Sequence, residues 1–236
     1  MTPSTSRRGS RASSTLSGPL STVRYTVNGV DFDMVRVPPG RFIDGEGRTR
    51  RELLVSRPFE IGVTPVTQAL WRAVMGSSPS EFRGEDRPVE NVSWNDAQRL
   101  MVALAKRGLT GFCLPTEAEW VWAARCGVPT RWAGVDRAKV VAVVGSGQTA
   151  AVAGLSGSAV GALDLSGNVY EWVGDWHEQV PLAGVDGQGS ASGSARVIRG
   201  GSWVLGPRNA LVAYRSLDAP GVRDRNFGVR LLRTVT

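Results

Sequence analysis

Arg196-Val-Ile-Arg-Gly-Gly-Ser-Trp203 and Asn226-Phe-Gly-Val-Arg-Leu-Leu232 bracket the segment around which this chain is organised. The first begins as a β-type run, Val197 and Ile198, and halts at Gly200-Gly201, a pair that supplies the positive φ of a sharp turn or bulge. In the second, Phe227, Val229 and Leu231 alternate with Gly228, Arg230 and Leu232, the period of a strand with one buried face. Between them lies a long stretch without helical or strand period. A loop mounted on a strand at each end is rigidly held and free to vary, which suits binding; it could equally be a surface connection between two core strands.

Working outward, the chain has 236 residues, enough for one large domain or two small ones, and its 42% hydrophobic content supports a folded body. Eight Trp and 29 Gly against three Tyr point to a compact, loop-rich fold with indoles in the core. No apolar run approaches the ~18 residues of a membrane helix. Arg7, Arg8 and Arg11 lack the apolar segment of a secretory or twin-arginine signal. The chain therefore reads as cytoplasmic by default, with a virion-associated or exported destination left open.

The net charge of +7 says little about partners, because it is concentrated in an Arg-bearing start and an Arg-rich end. That end has no Lys, one Tyr and one Phe, a poor set for stacking nucleic-acid bases, so nucleic acid is disfavoured. Cys113 and Cys126 show no ligand spacing and read as buried, inert thiols. His177 is the lone histidine and cannot build a multi-histidine site.

Residues 1–22, rich in Ser, Thr and Arg, read as a disordered arm, and 23–236 as one α+β domain with its variable region at about 199–232. Asn28-Gly29 predicts a hairpin turn. Thr64-Pro65 predicts a helix start, with Thr64 as N-cap and Pro65 in first position. Ser93–Asp96 and Thr116–Glu119 have capping-box spacing ahead of two further helices, stopped by Gly108 and Gly127. Residues 183–195 read as an exposed, flexible loop.

Five segments, together with Asn226-Phe-Gly-Val-Arg230, carry a resemblance: Phe59–Thr67, Pro88–Trp94, Leu114-Pro-Thr-Glu-Ala-Glu-Trp120, Gly167-Asn-Val-Tyr-Glu-Trp172 and Arg199-Gly-Gly-Ser-Trp203. In content and order they resemble the signature blocks of the formylglycine-generating enzyme (sulfatase-modifying factor) family. The resemblance implies a C-type-lectin-like fold of that family's type, rich in loops. It does not carry the chemistry with it. The family's oxidase holds copper on a cysteine pair just after the Gly-Gly-Ser block, and Val204–Thr236 contains no cysteine. Iron-dependent sulfoxide synthases of the same fold need several histidines.

The chain also resembles the variable proteins of diversity-generating retroelements, which place Arg-Gly-Gly-Ser-Trp, a hypervariable segment and Gly-(Phe or Val)-Arg at the C-terminus. Their diversified positions are usually NNC codons, which never encode Lys, Glu, Gln, Met or Trp. Residues 204–233 contain none of these five, where about 4 would be expected from the composition of the whole chain.

On that pattern the diversified, ligand-binding positions are Val204, Leu205, Gly206, Arg208, Val212, Ser216, Leu217, Asp218, Ala219, Gly221, Val222, Asp224 and Arg225. The scaffold comprises Trp203, Tyr214, Arg215 and Phe227, with Pro207, Asn209, Ala213, Pro220, Arg223, Gly228 and Arg230. Leu205, Leu217 and Val222 would form an apolar centre ringed by Arg208, Asp218, Asp224 and Arg225, or else ordinary core.

The resemblance thus implies a non-enzymatic binder of a macromolecular ligand, in the first place a protein, acting away from membranes. A catalytically inactive scaffolding or regulatory domain, or an oxidase, are the alternatives. No cofactor is required. A calcium turn built from Asp164, the carbonyls of Gly167 and Val169, and Glu171 is implied by the first family, and a plain capped turn is the competing reading.

Overall fold

The computed structural model describes residues 20–45, 50–136, 143–154, 157–179, 183–187 and 189–235. The arm expected over 1–22 lies outside them up to residue 19, and Thr22 already belongs to a strand.

That strand, β1 (Thr22–Val27), turns at Asn28-Gly29, both at positive φ, into β2 (Val30–Val37). The hairpin anchors an antiparallel sheet in the order β1-β2-β5-β12-β6, with β5 (Phe59–Gly62), β12 (Leu232–Thr234) and β6 (Phe112–Cys113). The C-terminus is thereby tied into the N-terminal sheet. Pro38-Pro39 separates β2 from β3 (Gly40–Asp44), which pairs with β4 (Arg51–Val55). Part of the Gly/Ser-rich 183–195 stretch joins this second sheet, as β8 (Gly184–Val185) runs parallel to β4. The third sheet has the order β10-β9-β7-β11, from β7 (Tyr170–Trp176), β9 (Arg196–Arg199), β10 (Ser216–Asp218) and β11 (Phe227–Gly228).

Helices α2 (Trp94–Ala105) and α3 (Glu117–Arg125) start at the two capping boxes, with Ser93 and Thr116 as N-caps. Gly108 and Gly127, both at positive φ, sit just beyond their caps, Lys106 and Cys126. Helix α1 (Gln68–Met75) corrects the expected start: Thr67, not Thr64, is the N-cap, accepting from the Leu70 N–H at 3.2 Å. The reason is tertiary. Val66 is held extended, donating to Val229 O and accepting from the Val89 N–H, so the helix cannot open before Thr67.

Two large apolar clusters make up most of the core among the described residues, beside a small one at Trp132 and Ala210. One centres on α3 and β5, with Trp120, Trp122, Phe59 and Ile61; the other joins α1 and α2 to Trp172, Phe227 and Leu231. The alternation at 227–232 does not mark a half-buried strand. All six residues are buried, and the run splits into β11 and β12. Among the described residues no helix is long and apolar enough to cross a membrane.

Candidate functional site

Gly200 and Gly201 adopt φ of +93° and +74° and turn the chain out of β9. A Cβ on Gly201 would stand 2.7 Å from Asn209 O, so the loop folds back across its own root and only glycine fits there. Trp203 is buried beneath the turn. Its N–H donates to Asn168 O and its indole Nε1–H to Arg225 O, 3.1 Å away, closing the loop's two ends on one ring. Phe82 packs edge-on against that ring at 5.1 Å, and the Arg225 guanidinium lies over it at 5.2 Å.

The path between these ends is fixed mainly through its main chain. Arg199, fully buried, donates from Nη1 to the carbonyls of Val212 (3.0 Å) and Tyr214 (2.8 Å). The Trp132 indole donates to Pro207 O at 2.9 Å, and the Val212 N–H to Arg131 O. The N–H groups of Asn95 and Asn91 bond the carbonyls of Pro220 and Asp224. Two guanidinium–carboxylate forks complete the mounting: Arg215 on Glu117 (2.6 and 3.1 Å) and Arg223 on Asp96 (2.6 and 2.8 Å).

Most positions read as variable lie on the outside of this frame. Val204, Leu217 and Val222 are exposed large apolar side chains, and Gly206, Arg208, Ala219, Gly221 and Arg225 are exposed as well. Ser216, Asp218 and Asp224 are half-buried, the last two bonding neighbouring N–H groups of their own turns. Leu205 is half-buried against the α1–α2 cluster, so it does not belong to an exposed apolar centre. Val212 is a correction: it is fully buried in the α3 cluster, because its N–H and C=O are both claimed by the frame and draw it inward. Of the scaffold residues, Trp203 and Phe227 are buried and Tyr214 and Arg215 half-buried.

Sequence reasoning missed the buried charge cluster under the loop. Glu117 lies 2.6 Å from Arg215, 3.1 Å from Arg199 and 3.1 Å from Arg51, and Asp44 pairs with Arg51, Arg125 and Arg199. Burial works to raise the Glu117 carboxyl, but Arg199 and Arg215 outweigh it and hold it at about 2. Asp175, which accepts the Glu117 N–H at 2.6 Å, is pushed up to about 7 by burial, reinforced by the Glu117 charge.

The sign follows from linkage. A carboxyl with a raised folded pKa binds its proton more tightly in the folded state, so stability falls as pH rises from the ordinary carboxylate range to about 7. Asp175→Asn is expected to flatten that part of a melting-temperature profile. A variant with the wild-type slope would contradict the assignment.

The family model for the sulfatase-modifying factor enzyme 1-like domain matches residues 26–235. The chain belongs to this family. Treponema denticola variable protein 1 superposes with a TM-score of 0.84 at 31% identity, over 91% of this chain and 99% of that one. The formylglycine-generating enzyme of Streptomyces coelicolor is 33% identical over 70% of this chain, which spans 58% of that enzyme's length. The chaperone protein LppX of Paenibacillus barcinonensis is 27% identical, over 87% of this chain and 90% of that protein. The fold is the C-type-lectin-like fold of the sulfatase-modifying factor type, and the scaffold is that of a variable protein.

Within the sulfatase-modifying factor fold, the residues present here do not fit the oxidase's copper. Cys113 lies in β6 and Cys126 caps α3, so neither stands in the segment after Gly200-Gly201 where the oxidase's thiol pair would lie. His177 stands alone.

The calcium set does not fit as a whole either. Glu171 is fully buried, and its oxygens accept from Arg230 at 2.7–3.1 Å and from the Trp120 indole at 2.6 Å, so a guanidinium already supplies the positive charge. Asp164, at positive φ, accepts the Ala153 N–H, and burial raises its carboxyl. No group of three or more His, Cys, Asp or Glu with metal-binding geometry occurs among the described residues.

Proposed function

We propose that this chain is a retroelement-diversified binding protein that captures a macromolecular ligand, in the first place a protein, through the outer side chains of its C-terminal loop, and that it is not an enzyme. One observation carries this reading. Most of the frame's bonds to the loop end on its main chain, at the carbonyls of Pro207, Val212, Tyr214, Pro220, Asp224 and Arg225. Side chains at Val204, Arg208, Leu217, Ala219 and Val222 take no part in those bonds. They can change while the backbone keeps its course, the physical requirement of an antibody-like loop. The likeness to a variable protein and the absence of Lys, Glu, Gln, Met and Trp from residues 204–233 support the same reading.

The encoding locus tests it. A near-copy of the segment for residues 199–232, with Asn codons at the outward positions and a reverse transcriptase gene beside it, is expected; a locus with neither refutes diversification. For the catalytic side, a sulfatase-type cysteine peptide incubated with the protein and copper should stay free of aldehyde. Aldehyde formation would overturn the non-enzyme reading.

A further inference from the structure

The diversified loop does not end at open solvent on its α2 side. The Asn95 N–H holds Pro220 O, a Cβ on Gly221 would stand 3.9 Å from Asn95 Nδ2, and Arg223 and Arg99 share the carboxylate of Asp96. From Asn95 the helix carries one continuous outward stripe: Asn95, Arg99, Val102 and Lys106, spaced by three or four residues and all exposed. Val102 is 57% exposed, more than any other large hydrophobic residue in the described structure, and it lies between the two cations.

Over residues 94–107 and 219–223 the cations are Arg99, Lys106, Arg107 and Arg223. The single acid within those ranges, Asp96, is already committed to Ser93, Arg99 and Arg223, and the flanking Asp218 and Asp224 are half-buried and each accept an N–H of their own turn. Arg208, on the loop itself, is exposed and has no partner among the described residues.

We propose that the recognition face extends beyond the loop onto this stripe of α2, and that its partner is an acidic protein segment bearing an aliphatic or aromatic anchor. The inference rests on the reading of the loop as a recognition surface and divides its labour. The fixed half, Arg99, Val102, Lys106 and Arg223, attracts and seats any acidic segment with an apolar side chain, since complementary charge raises encounter and fixes register. The changeable half, with Leu217 and Val222 exposed, decides which of those segments stays. Nucleic acid would answer the charge but not Val102, and Trp94, the indole at the head of α2, already has the Arg196 guanidinium stacked on it at 3.9 Å.

A phage-displayed library of random dodecapeptides, selected on the full chain, tests the proposal. Selected peptides are expected to be acidic with at least one large apolar residue. Their affinity should weaken about tenfold or more in the double variant Arg99→Gln, Val102→Asp, weaken in Lys106→Glu, and fall with added salt. It should fall also in Leu217→Asp. Peptides sensitive to Leu217→Asp but indifferent to both α2 variants would overturn the extension and leave the loop's role intact. Peptides indifferent to Leu217→Asp, or no enrichment at all, would overturn the loop reading and this one with it. Tighter binding of a single-stranded DNA oligonucleotide than of any selected peptide would overturn the choice of partner. Melting curves of the variants exclude unfolding as the cause, as every substituted side chain is exposed.

Discussion

Arg230→Leu is expected to cost at least about 5 kcal/mol, enough to prevent folding of a domain of ordinary stability. Arg230 and Glu171 are both fully buried, their charges 2.7 Å apart. The same guanidinium donates to the carbonyls of Gly62 (2.8 Å), Val63 (3.0 Å) and Leu163 (2.7 Å), tying β5 and the segment before β7 to the C-terminal run. Removing one partner of a buried pair costs about 3–5 kcal/mol, because the other charge stays desolvated and unpaired. The carbonyls of Gly62 and Leu163 lose the guanidinium as well, on the order of 1 kcal/mol or more for each left without a donor, while Val63 O keeps the Leu163 N–H. The double variant Arg230→Leu, Glu171→Leu should recover part of the loss, since no charge is then stranded. Urea unfolding of both proteins, or the soluble yield if the single variant does not fold, measures the difference. A single variant within about 1 kcal/mol of wild type would contradict the pairing.

Arg199→Met is expected to cost about 3–5 kcal/mol and to act on the loop in particular. Its guanidinium is the frame's most interior support, bonding Val212 O and Tyr214 O and facing Asp44 and Glu117 at 3.3 and 3.1 Å. Methionine fills the space but leaves two acids with one cation fewer and two carbonyls bare. Lysine should rescue poorly, because an ammonium lacks the planar fork that serves carbonyls and carboxylates together. Amide exchange at Val212–Tyr214 should rise more than in β1 and β2. Uniform acceleration across the chain would mean that Arg199 supports the core and not the loop.

The parts of this fold that sequence made legible are those decided locally. Asn28-Gly29 sets its turn through positive φ, and the boxes at Ser93 and Thr116 fix their helices within one turn of chain. Thr64, followed by Pro65, has the local form of an N-cap, and only the distant main chains of Val229 and Val89 move the helix start to Thr67. Val212 could not be told from its exposed neighbours, because an irregular loop has no period to mark an inward side.

Charge misled in a similar way. Glu171 suits an ion-binding turn by its neighbours in sequence, yet Arg230, distant in sequence, occupies its oxygens, and the three arginines around Glu117 come from three other parts of the chain. Arg199 and Arg230 each sit beside glycines and apolar residues in the sequence, the one local hint that they point inward.

The central claim is that the frame holds the loop by its backbone and leaves the outer side chains free. The most direct measurement replaces Val204, Arg208, Leu217, Ala219 and Val222 together by other small or polar residues and follows urea unfolding. The account predicts a change within about 1 kcal/mol, the sum of small, partly cancelling surface effects, and an unchanged slope. A loss of about 3 kcal/mol or more would show that these side chains hold the fold together, and would contradict the claim.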